Sequence, residues 1–246
     1  SSFLSFFEAL SPPKSKGLHT ESVSSVDALN AICRNMPGLE ALTHVGFHFD
    51  DHTHKCNLWP LVSLSSLRSL SLSRCYGGDI ERVLGRLSSL KSLSVSRMDR
   101  VQETDVVQAY PQSLERLHVN SVMRHDTFCS LCSAIASAKP SVHEMQVGKL
   151  FMSRLFGGVG HSLQSVSKAL STIPKGFQLV VRYLDVAVSM NAFISFCSEW
   201  PEMASTLRHA HVRPCGDAFE QIPVTRFLEL TGLCPDLKGV LLFILF

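Results

Sequence analysis

Leu67-Arg68-Ser69-Leu70-Ser71-Leu72-Ser73-Arg74-Cys75 sets apolar residues at its first, fourth and sixth places, a cysteine at its ninth, and serines between. Leu90-Lys91-Ser92-Leu93-Ser94-Val95-Ser96-Arg97-Met98 repeats it, serines included. The spacing returns in Leu114, Leu117, Val119 and Val122, and again in Val142, Met145, Val147 and Leu150. Late in the chain it recurs as Leu207, Ala210, Val212, Cys215 and as Leu237, Val240, Leu242, Leu245. Alternation through the fourth to sixth places predicts a short strand with the apolar pair on one face and the serines on the other. So short a unit cannot bury its apolar row alone; stacked neighbours must bury it together.

Units begin at Leu39, Leu67, Leu90, Leu114, Val142, Gly176, Leu207 and Leu237, at intervals of 28, 23, 24, 28, 34, 31 and 30 residues. The first sets Leu39, Leu42 and Val45 in a strand but carries His44 at the sixth place, where an aliphatic belongs, as an atypical end unit does. The Gly176 unit puts Leu179 and Val181 inside, after an insert containing Gly157-Gly158-Val159-Gly160. Between the strands, apolar stripes at helical spacing predict helices. They are Val26, Leu29, Ile32, Cys33, ended by Pro37-Gly38; Ile80, Val83, Leu84, Leu87 behind Asp79; and Val106, Val107, Tyr110. Further on come Phe128, Leu131, Cys132, Ile135 after Asp126; Leu163, Val166, Leu170, Ile173; Ala192, Phe193, Phe196, Cys197; and residues 219–230.

The pattern L-x-x-L-x-L-x-x-(C/apolar) resembles the leucine-rich repeat superfamily, in its ribonuclease-inhibitor-like and cysteine-containing branches. The serine-rich, irregular units look like those of protist, trypanosomatid-like members. The resemblance covers nearly the whole chain from Leu39 onward and speaks to fold rather than function. It implies an α/β fold: a right-handed solenoid (horseshoe) with parallel strands on the concave face and helices or turns on the convex face. On this reading residues 1–23 are an N-terminal docking or capping segment, and residues 24–246 a solenoid of about eight repeats. Gly239-Val240-Leu241-Leu242-Phe243-Ile244-Leu245-Phe246 is apolar on both faces with no capping helix after it. Further chain or another subunit is expected to cover that strand.

Of the 246 residues 45% are hydrophobic, enough for a large core, and the formal charge is +2. That charge is unevenly spread. Residues 61–184 hold 15 Lys/Arg against 8 Asp/Glu, a surplus of +7, while residues 1–60 carry −2 and residues 185–246 carry −3. A basic middle suits an acidic protein or RNA. The eight cysteines are scattered and no N-x-S/T sequon occurs, which points to a reducing intracellular compartment. That is the cytoplasm, or the mitochondrion if a targeting peptide has been removed, since residue 1 is Ser. No apolar run reaches the roughly 20 residues of a membrane span.

The outward places of the strands form the candidate partner-binding face: Ser69, Ser71, Ser73, Ser92, Ser94, Ser96, Arg116, His118, Asn120, Glu144, Gln146, Gly148, His209, His211 and Arg213. Arg74, Arg97 and Lys149 hold the eighth place, and with Arg100 and Arg154 make a basic rim. Eight strands about 4.8 Å apart give a face on the order of 35 Å long, a size for a peptide, helix or folded partner. Taken singly, each serine or arginine is an ordinary solvated residue; taken as an array, they are the surface that solenoids use.

Catalytic and metal motifs are incomplete. His48-Phe49-Asp50-Asp51-His52-Thr53-His54-Lys55-Cys56 gathers zinc-binding types but lacks a second spaced ligand pair, and a polar loop explains it as well. Cys129-Ser130-Leu131-Cys132 lies on a helical stripe and reads as core thiols. Gly160-His161-Ser162-Leu163-Gln164 lacks the last glycine of a nucleophile elbow. Gly158-Val159-Gly160 meets Leu163 where a dinucleotide loop needs its third glycine. The expectation is no catalysis, no cofactor and no resident metal. The chain reads as a protein-protein interaction scaffold within a multi-subunit complex. The alternative is a structural subunit of a ribonucleoprotein, such as a mitochondrial ribosome, touching RNA through its basic middle.

Overall fold

The computed structural model describes residues 16–19, 26–46, 57–76, 80–96, 98–99, 111–138, 141–152, 160–213 and 224–242. The Phe-rich start, the His48–Cys56 cluster, the Val106 stripe, Gly157 to Val159, Arg97, Arg100, Arg154, Cys215 and residues 243–246 lie outside them. The chain is α/β and divides into two compact units, residues 1–119 with 138–143 and residues 120–137 with 144–246.

The first unit is built on parallel strands: β1 (Gly17–His19), β2 (Ala41–Gly46), β3 (Ser69–Tyr76), β4 (Ser92–Val95), β5 (Met98–Asp99) and the start of β6 (Arg116–Arg124). β5 pairs with the end of β3, and the other five run side by side in chain order. Leu18, Leu42, Leu70, Leu93 and Leu117 stand opposite one another across them. Val45, Leu72, Val95 and Val119 form the next row. From Leu42 onward every member of both rows is buried, each contributing about 1.5–3 kcal/mol. These rows are the recurring fourth and sixth places of the sequence pattern.

α1 (Val26–Asn35) buries Ala28, Leu29, Ile32 and Cys33 and packs on a 3₁₀ turn, Trp59–Ser63. That turn has its own periodicity: Leu58, Leu61, Leu64 and Leu67 recur at every third residue and all are buried, as the three-residue period of a 3₁₀ helix requires. α2 (Ile80–Leu84) is a single turn and a half, with Val83, Leu84 and then Leu87 buried.

In the second unit β7 (Glu144–Met152), β8 (Gln178–Val186), β9 (His209–Val212) and β10 (Gly239–Leu242) pair in chain order, all parallel. The helices are α3 (His125–Ala138), α4 (Gly160–Ser171), α5 (Met190–Glu199), α6 (Pro201–Ala204) and α7 (Val224–Leu233). Phe128, Leu131, Cys132 and Ile135 are the buried stripe of α3, and Leu163, Val166 and Leu170 that of α4. Ser189 caps α5, its Oγ accepting from the Ala192 N–H at 3.2 Å. The Trp200 indole donates to Ser167 Oγ at 2.7 Å, tying the end of α5 to α4. Gly148 lets β7 approach the backbone of Asn120, where a Cβ would stand 3.0 Å from the carbonyl carbon and oxygen.

β1, within the segment expected to dock or cap, pairs with β2. Several other expectations are corrected. A bulge in β2 sets Thr43 and His44 together against Ser71, which carries the expected Val45 into the inner row in place of the sixth residue. Met123 is buried at 3% exposure while Val122 is 56% exposed, so β6 turns its far end by one residue. Asp126 lies inside the first turn of α3 rather than before it. Ala192 is exposed, and Met190 and Ile194 complete the α5 stripe instead. The Gly176 unit has the expected place, with Met145 opposite Leu179 and Val147 opposite Val181. The next unit does not: Ala210 pairs with Leu184 and Val212 with Val186, five residues farther along β8 than the repeat predicts.

The offset leaves room for α6, which packs on β8, and Thr206 Oγ1 accepts from the Val181 N–H at 3.0 Å while donating to the Met203 carbonyl at 2.7 Å. A side chain thus does the work of a neighbouring strand. β9 joins only where Arg208 N–H reaches the Arg182 carbonyl, at 3.0 Å.

Candidate functional site

In the first unit the serines line up across the strands. Ser69, Ser92 and Arg116 are in register, as are Ser71, Ser94 and His118, on the side away from the leucine rows. The six serines Ser69, Ser71, Ser73, Ser92, Ser94 and Ser96 are all half-buried, and Arg116 is exposed. Just before the strands a second row carries charge. Glu40, Arg68, Lys91, Glu115 and His143 lie on successive units, linked by backbone bonds from each N–H to the carbonyl before it. Lys16 pairs with Glu40 at 2.9 Å and Lys91 with Glu115 at 2.6 Å. The hydrogen bond from each lysine holds its glutamate below the ordinary carboxylate range.

The second unit holds the most organised polar cluster, and it follows from the offset of β9. With Tyr183 opposite His209 and Asp185 opposite His211, the outward residues of three strands converge. Asp185 sits between the buried Leu184 and Val186, on the opposite side of the strand, yet only 4% of it is exposed. Its carboxylate meets Arg213 Nη2 at 2.7 Å, His211 Nδ1 at 3.3 Å and Lys149 Nζ at 3.5 Å. Lys149 Nζ also lies 4.4 Å from the centre of the Tyr183 ring, and the Arg213 guanidinium 5.4 Å from that of Phe151. Gln146, with its amide oxygen toward Arg182, accepts from Nε at 3.2 Å and Nη2 at 3.0 Å.

His211, Arg213 and Lys149 were expected as open face and rim; the structure makes them the walls around one carboxylate. Glu144 and Gln146 stand opposite Gln178 and Val180, five residues away from His209 and His211 along the strand. Asn120 is exposed near the close approach of Gly148. Sequence reading missed Asp185, Tyr183 and Phe151. The available signal was a lone carboxylate in the apolar run Leu184-Asp185-Val186-Ala187-Val188, since a charge at such a place needs partners.

No protein-family model and no curated protein matches this sequence. Several of the cysteine thiols are buried. Cys132 is fully buried, which pushes its thiol up; burial pushes the Cys33 thiol up to about 11. Cys197 and Cys234, both buried, share a hydrogen bond that raises the first and lowers the second. Ser162 lies in the first turn of α4. Among the described residues no cluster of three or more His, Cys, Asp or Glu is arranged to hold a metal ion, and no helix is long and apolar enough to cross a membrane. A cavity of about 480 Å³ lies where the turn into β8 meets the α5–α6 junction, lined by Phe177, Leu179, Trp200 and Met203 with Glu199 and Lys175.

Proposed function

We propose that the chain is a leucine-rich-repeat-type solenoid that binds a protein partner on the open side of its strands, as a non-catalytic scaffold within a larger assembly. The observation that carries this reading is the in-register serine array, Ser69 with Ser92 and Ser71 with Ser94, backed by the Leu70–Leu93 row. Small half-buried hydroxyls over a rigid ladder leave a low, polar strip that a partner can approach closely, with little side-chain entropy to lose. The free thiols of Cys33, Cys129, Cys132, Cys197 and Cys234 support a reducing intracellular setting.

The test is capture of the native partner by the full chain, compared with a Ser71→Arg/Ser94→Arg variant. Loss of capture with an unchanged melting temperature supports the reading; undiminished capture refutes it. A ribonucleoprotein subunit is the second reading, favoured by the +7 surplus of residues 61–184. It requires capture that disappears after ribonuclease treatment and falls steeply with salt.

A further inference from the structure

Beyond the clasp around Asp185, the second unit carries a row of cations beside the start of its later strands. Arg208 N–H donates to the Arg182 carbonyl at 3.0 Å and Lys238 N–H to the Arg208 carbonyl at 2.8 Å. Those bonds set the three residues on adjacent strands, about 4.8 Å apart, and all three are exposed. Among the described residues none of them makes an ion pair. Farther along the strands come Lys149 and Arg213, and the carboxylate they share is already engaged by both.

We infer that this row docks an acidic segment of the protein partner, the carboxylates of that segment meeting Arg182, Arg208 and Lys238. The inference rests on the proposed strand-face reading and names the chemistry of what binds there. Two observations favour carboxylates over RNA. The row spans three strands, about 10 Å across, which matches about three residues of extended chain. Tyr183 and Phe151 each have a cation against one face of the ring, which leaves less of it for stacked bases.

The experiment measures anisotropy of labelled polyglutamate, polyserine of equal length and oligouridine of equal charge with the full chain. Polyglutamate is expected to bind, polyserine not, and the affinity to fall about tenfold or more in Arg182→Glu/Arg208→Glu. Should that reversal lower the melting temperature, Arg208→Gln/Lys238→Gln replaces it, with a loss of about threefold expected. No polyglutamate binding, binding equal in parent and variant, or tighter binding of oligouridine overturns the inference. Failure here with capture still dependent on Ser71 and Ser94 removes only the acidic segment. Success here with capture indifferent to those serines removes the serine-face reading and leaves this site.

Discussion

Arg213 Nη2 lies 2.7 Å from Asp185 Oδ1, joining the residue just past β9 to the penultimate residue of β8. The two are 28 positions apart in sequence, and they meet because β9 enters the ladder late. Had Ala210 paired with Leu179, as the repeat spacing predicts, Arg213 would have lain five residues farther back along β8, away from Asp185. The contact is therefore a direct consequence of that register. It also organises the site, since Lys149 and His211 turn toward the same carboxylate.

Removing that carboxylate leaves two permanent cations facing each other. Asp185→Asn is expected to destabilise the second unit by about 2 kcal/mol. That is less than the roughly 3–5 kcal/mol of a fully buried broken pair, because Lys149 and Arg213 retain solvent contact. Urea denaturation checks this, and stability equal to the parent would show that the clasp is incidental.

Thr206 stands in for a strand. Thr206→Val keeps the shape but removes the acceptor of the Val181 N–H, at a cost of about 1–3 kcal/mol for a buried amide left unpaired. Amide hydrogen exchange at Val181 should rise with it. Unchanged protection at Val181 would mean that another group supports the offset.

The turned end of β6 distinguishes two neighbours. Met123→Ala is expected to cost about 2–5 kcal/mol as a core truncation, whereas Val122→Ala should stay within about 0.5 kcal/mol as a surface change. Thermal melts of the pair decide it, and the reverse order would restore Val122 to the inner row.

The Lys91–Glu115 pair predicts a pH dependence. Its carboxylate is held below the ordinary value of 4.5 by the lysine hydrogen bond, so the pair's contribution is complete above pH 4.5. It is lost as pH falls through the lowered value. Glu115→Gln should therefore shallow the acid limb of the stability profile and leave the neutral region nearly unchanged, since an exposed pair contributes little. A parallel shift of the whole profile would contradict this account.

The inner rows were legible in the sequence because their cause is local. Apolar residues at the fourth and sixth places of each unit must share a strand face, and stacking is the one way to bury them. Leu70, Leu93 and Leu117 follow from that alone, as does the stripe of α3. His44 looked anomalous because a bulge leaves no signature in spacing: it depends on β3 accepting one residue where β2 offers two. Val122 and Met123 are equally apolar, so pattern could not choose between them.

The amino-acid order by itself determined the repeating unit, the alternation of strand with helix, and the serine side of the first unit. The tertiary structure alone decided how far β8 and β9 slide past each other. The physical reason is that Thr206 satisfies a strand amide with a side chain, and no apolar periodicity records a hydrogen bond of that kind. The Asp185 cluster is assembled by that slide, from residues that the repeat places in different rows.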